Sequence, residues 1–100
     1  IEGELFTQFE RALQSHDPGL IFLDADHRSA SINYCLKAID QYSPAAKCIV
    51  IHDIYWSKDM LRAWHAIAEN SNYTLTIDLF EAGLILPNLE MQKQHFTIRF

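Results

Sequence analysis

A chain of 100 residues makes one small domain or part of a larger one, and 49% hydrophobic with 21% charged residues describes a folded protein, not a disordered tail. The formal charge of −5, with eight Lys and Arg scattered singly, argues against nucleic acid or an anionic membrane as partner. No apolar run approaches the roughly 18 residues that cross a bilayer and no signal-peptide pattern is present, so the expected compartment is the cytoplasm, with Cys35 and Cys48 as reduced, buried thiols.

From Glu4 to about Ser15, Leu5, Phe9, Ala12 and Leu13 recur at helical spacing, and His16-Asp17-Pro18-Gly19 ends that helix. Leu20–Asp24 is an unbroken apolar run closing on an acid, the pattern of a strand buried on both faces. A second helix covers roughly Ser29–Gln41, with Ile32, Cys35, Leu36 and Ile39 on one face. After Ser43-Pro44-Ala45-Ala46, Lys47–His52 is the second buried strand. Ser57 is placed as an N-cap with Asp59 in the first turn, opening a third helix that runs to about Glu69 and buries Met60, Leu61, Trp64, Ile67 and Ala68. Beyond Asn70-Ser71-Asn72 the period becomes two: Tyr73, Leu75, Ile77 and Leu79 alternate with Thr74, Thr76 and Asp78, a strand with one wetter face. Glu81-Ala82-Gly83 turns into Leu84-Ile85-Leu86 to form an antiparallel hairpin, Pro87–Gln94 is a loop, and His95–Phe100 is a last short strand with Phe96, Ile98 and Phe100 for packing only.

Strands separated by helices imply right-handed parallel crossovers, so this order predicts half of a three-layer α/β sandwich with an antiparallel edge. The two apolar strands end alike, one in Asp24-Ala25-Asp26-His27 and the other in His52-Asp53. Ligands of open α/β sheets bind at the carboxyl ends of the strands, so both clusters point to one shared site. The chain begins at Ile1, without methionine. Its three glycines, Gly3, Gly19 and Gly83, belong to no phosphate-binding loop, and the expectation is that the chain is the second part of something longer.

Leu20-Ile21-Phe22-Leu23-Asp24-Ala25-Asp26-His27, followed by Ile49-Val50-Ile51-His52-Asp53-Ile54-Tyr55-Trp56-Ser57 and the hairpin of Thr74–Phe80 with Gly83–Leu86, resembles the C-terminal half of class I S-adenosylmethionine-dependent methyltransferases. The resemblance implies a Rossmann-like α/β/α sandwich in which these segments are strands four to seven. It also implies that the glycine-rich half precedes Ile1, so that the fragment alone is inactive and binds S-adenosylmethionine poorly. Under it, Asp24 and Asp26 face the cofactor, and Gly3-Glu4 is a remnant of the loop near its adenine. His27 and Asp53 are the catalytic candidates, and an imidazole is a fitting base for a hydroxyl or amine nucleophile. Tyr55 and Trp56 line the pocket of a small-molecule methyl acceptor.

Among these enzymes the chain is most similar to the catechol and caffeoyl-coenzyme A kind, which hold a divalent cation between the strand-four aspartate and an Asp-Asn pair. Asp24 and Asp53 match two of those ligands. The Asn position is Ile54, which offers no donor to a hard cation, so the resemblance implies no metal of that type. Two other readings stand beside it. One is a metal-dependent hydrolase using Asp24, Asp26, His27, His52 and Asp53 as mixed ligands. The other is a non-catalytic α/β interaction domain. A half-sheet would also leave the edge of Leu20–Asp24 open, predicting a homo-oligomer joined through that strand.

Overall fold

The computed structural model describes residues 8–13, 19–24 and 28–99. Gly3, Glu4, Asp26 and His27 therefore lie outside the described residues, as do both ends of the first predicted helix. Within these limits the protein is an α/β unit with a five-stranded mixed sheet. Residues 8–13 are helical and are named α1. They are followed by β1 (Leu20–Leu23), α2 (Ser29–Tyr42), β2 (Cys48–His52), α3 (Lys58–Glu69), β3 (Leu75–Asp78), β4 (Ala82–Leu86) and β5 (Gln94–Thr97).

The strand order is β1-β2-β4-β3-β5. β1 and β2 are parallel neighbours, with Leu20 opposite Cys48 and Leu23 opposite Ile51. β4 runs antiparallel to both β2 and β3, and β5 lies parallel to β3 at the far edge. The hairpin expected from the sequence is thus present, but its second strand sits between β2 and β3. Gly83 belongs to that strand, not to the turn, which is made by residues 79–81.

One face of the sheet is covered. Ile21, Leu23, Ile49, Ile51 and Ile85 form a single core with Leu13 of α1, Ile32, Cys35, Leu36 and Ile39 of α2, and Met60, Trp64 and Ile67 of α3. The Trp64 ring packs against Gly83, where an added Cβ would stand 2.5 Å from the nearest ring carbons. A glycine here is a packing requirement, since only a missing side chain lets the indole reach the sheet.

The opposite face carries Phe22, Val50, Leu84, Ile77 and Phe96, which stand side by side in register across all five strands. Phe22 is 58% exposed and Leu20 65%, so β1 is buried on one face only, contrary to the reading of its apolar run. Cys48, expected to be buried, is half-buried on this face, whereas Cys35 is buried. Leu61 and Ala68 are likewise half-buried, and Ala63 takes a core position instead.

β3 is turned over relative to the expectation. Its alternation is real, but the buried residues are Thr76 and Asp78, while Leu75 and Ile77 lie half-buried on the open face. Partners from elsewhere in the chain, before and after β3, make this possible. Thr76 Oγ1 lies 2.7 Å from His95 Nδ1, and Asp78 takes hydrogen bonds from Tyr55, Phe80 and Arg99. Buried polar groups so satisfied carry little penalty. No described helix is long and apolar enough to cross a membrane.

Candidate functional site

Asp24 follows directly on β1, His52 ends β2 and Asp53 follows it, so parallel pairing brings all three to the same edge of the sheet. His52 falls on the open face with Phe22, the two rings 6.1 Å apart. Its Nδ1 lies 3.4 Å from Asp24 Oδ1 and 3.1 Å from Asp53 Oδ2. Neither contact is aligned as a hydrogen bond, and Nδ1 is buried without one. The side chains themselves are only partly covered: 54% of Asp24 is exposed, 38% of His52 and 26% of Asp53.

The loop after β2 explains how Asp53 is aimed. Its φ is +59°, a left-handed conformation that aspartate tolerates better than most residues. Its amide donates to Glu81 O at 2.7 Å, and its carbonyl accepts from the amide of Trp56 at 3.0 Å. Between them Ile54 is fully buried, pinning the turn to the core. Ser57 then caps α3 as its sequence predicts, accepting from the Met60 amide at 3.1 Å.

Tyr55 turns away from Asp24, toward the far side of the sheet. Its hydroxyl donates to Asp78 Oδ2 at 2.5 Å, its ring lies 5.2 Å from Phe80, and the Arg99 guanidinium sits over both rings, 5.7 Å from Tyr55 and 5.3 Å from Phe80. Arg99 also donates to Asp78 Oδ1 at 3.1 Å and to the Tyr55 hydroxyl at 3.2 Å. Burial works to raise the Asp78 carboxyl, but the hydrogen bonds from Tyr55, the Phe80 amide and Arg99 outweigh it and hold the group below its ordinary value. Donation to Asp78, and to a lesser extent burial, pushes the Tyr55 phenol up. Phe80 has φ +72°, a conformation costly for an aromatic residue, yet half its surface remains in solvent. Beside this cluster an open recess of about 490 Å³ is lined by Leu79, Phe80, Glu81, Ala82 and Arg99. Ala82 stands opposite His52 across the β2–β4 pair, so the recess adjoins the acid–imidazole cluster. Trp56 is 65% exposed on the same loop.

Of the residues expected at the site, Asp24 and Asp53 meet around His52, and Tyr55 reaches the rim by way of Phe80 and Arg99. Of the five ligands expected for a hydrolase, Asp24, His52 and Asp53 convene; Asp26 and His27 lie outside the described residues. Asp78, Phe80 and Arg99 were not singled out from the sequence. The one local signal for them is an Asp closing a strand two residues before an aromatic at a hairpin turn. The chain matches no protein-family model, no curated protein and no solved structure.

Proposed function

We propose that this chain is the C-terminal half of a class I S-adenosylmethionine-dependent methyltransferase, which in its intact form methylates a small-molecule acceptor. The observation that carries the reading is the meeting of Asp24 and Asp53 around His52 at the carboxyl ends of two parallel neighbouring strands. That is where an open α/β sheet binds its ligand. The antiparallel pairing of β3 with β4 supports it further, because this hairpin is the hallmark of the fold resembled. The row from Phe22 to Phe96, exposed at its two ends and half-buried between them, is the surface on which a second helical layer of a three-layer sandwich would lie.

The partly exposed carboxylate of Asp24 suits the ammonium and sulfonium of S-adenosylmethionine, and its exposure leaves room for them. When bound, the cofactor supplies an electrophilic methyl group. Asp53 and His27 are the groups in this chain that would hold a proton from the acceptor's nucleophile. The recess beside Phe80 and Arg99 is the acceptor's place, and Tyr55, held by Asp78, packs behind those two residues. Orientation of the nucleophile within it supplies most of the rate.

Calorimetric titration with S-adenosylhomocysteine tests this reading in the protein that carries its upstream glycine-rich half. Affinity on the order of 10 μM, weakened at least about tenfold by Asp24→Ala, is expected, and the 100-residue chain alone should bind far more weakly. Absence of binding in the longer protein, or micromolar binding by this chain alone, would contradict the assignment.

A further inference from the structure

We infer that the cleft between the C-terminal parts of α2 and α3 binds a small zwitterion, an α-amino acid with an aliphatic side chain. The cleft shares no residue with the rim at Asp24 and Asp53 and does not depend on methyl transfer. Tyr73 stands just before β3, whose first residue pairs with the last of β4, at the opposite end of the sheet from His52. There an open recess of about 360 Å³ is lined by the apolar Leu36, Ala66 and Ile67 and by Lys37, Asp40 and Tyr73.

The main observation is Tyr73, of which 6% is exposed. Its amide donates to Asn70 O and its carbonyl accepts from Lys93 Nζ, but its hydroxyl has no hydrogen-bond partner among the described residues. A buried tyrosine hydroxyl normally finds a partner. Nor is this oxygen sealed in: among the described residues, the fully enclosed side-chain polar atom left unpartnered is His52 Nδ1, and Tyr73 opens on the recess. Burial, with the charge of Asp40 added to it, pushes the phenol up to about 12, so it stays neutral and can donate. The charges beside it are unmatched as well. Lys37 and Asp40 stand three residues apart on α2, a spacing at which helical side chains meet, yet neither has an ion-pair or hydrogen-bond partner among the described residues. Partial burial pushes the Asp40 carboxyl up, with no cation to offset it. An α-amino acid answers each of these groups. Its ammonium meets Asp40, its carboxylate meets Lys37 and takes the Tyr73 hydrogen bond, and its side chain lies on Leu36, Ala66 and Ile67. A ligand with a single charge, or none, would leave part of the set unanswered.

The test follows amide chemical shifts of this isotope-labelled chain as L-leucine is added. Shifts centred on Lys37, Asp40 and Ala66 should saturate with a dissociation constant of about 1 mM. Leucinamide, which lacks the carboxylate, and 4-methylpentanoate, which lacks the ammonium, should each bind at least about tenfold more weakly. Tyr73→Phe keeps the ring and its packing and should weaken leucine binding at least about threefold. Asp40→Asn, at an exposed position, should weaken it about tenfold, and circular dichroism melts should show both variants folded. No shifts at about 20 mM leucine, equal binding of the three probes, or unchanged affinity in Tyr73→Phe or Asp40→Asn would each overturn the site.

Discussion

Gly83 and Asp78 show how much of this fold rests on single positions. A methyl group at residue 83 would meet the Trp64 ring at 2.5 Å, and the indole is locked between the sheet and α3. Gly83→Ala is expected to destabilise the protein by about 1–3 kcal/mol in urea unfolding, the usual cost of overpacking. An unchanged midpoint would mean that the indole has room to shift. Alternation along β3 was legible in the sequence, but not which face it buries. Threonine and aspartate normally mark the wet face, and here they are the buried ones. The reason lies in partners 19 to 23 residues away, His95, Arg99 and Tyr55, which no local pattern reveals. Arg99 reaching Tyr55 across 44 residues is a contact of the same kind.

At the level of elements, Asp59 does more than its place in the first turn of α3 suggests. Its carboxylate accepts from the Ser29 amide and hydroxyl, both at 2.8 Å, so one acid in α3 also ties down the start of α2. This matters because Arg28, at the N-cap position of α2, supplies no side-chain cap. The Ser29 hydrogen bonds, from the amide first and then the hydroxyl, hold the Asp59 carboxyl below its ordinary value. A depressed carboxyl contributes stability above its unfolded value of about 4, and loses it as pH falls through the folded value. Thermal melts of wild type against Asp59→Asn should therefore differ at pH 7 and converge in acid; a gap that persists at pH 2 would contradict the linkage. The elements α2, β2 and α3 were legible to within a residue or so, since each is a clear helical period or an apolar run bounded by capping or breaking residues. The convergence of β1 and β2 was legible for a related reason: two apolar runs ending in acids, joined by a helix, leave a parallel crossover as the simple connection. What the runs did not disclose is that one face of β1 is bare.

For the molecule as a whole, that bare face and the open side of β1 govern behaviour in solution. Among the described residues β1 has one strand neighbour, β2, and it exposes Leu20 and Phe22. Such an edge offers unpaired backbone groups beside apolar side chains, so this chain is expected to self-associate, with a twofold dimer through β1 as the simplest closed form. Light scattering on a sizing column should show mass above the monomer, falling when Phe22→Lys is introduced; a monodisperse monomer at high concentration would contradict it. The central claim, however, concerns the rim where β1 and β2 end. Its most direct test is amide chemical-shift mapping, with S-adenosylhomocysteine added to isotope-labelled protein that includes the upstream glycine-rich half the proposed function calls for. Shifts gathered on Asp24, His52 and Asp53, and absent from the opposite end of the sheet near Thr74, Pro87 and Gln94, are the predicted result. Shifts at that opposite end, or none at all, would contradict it.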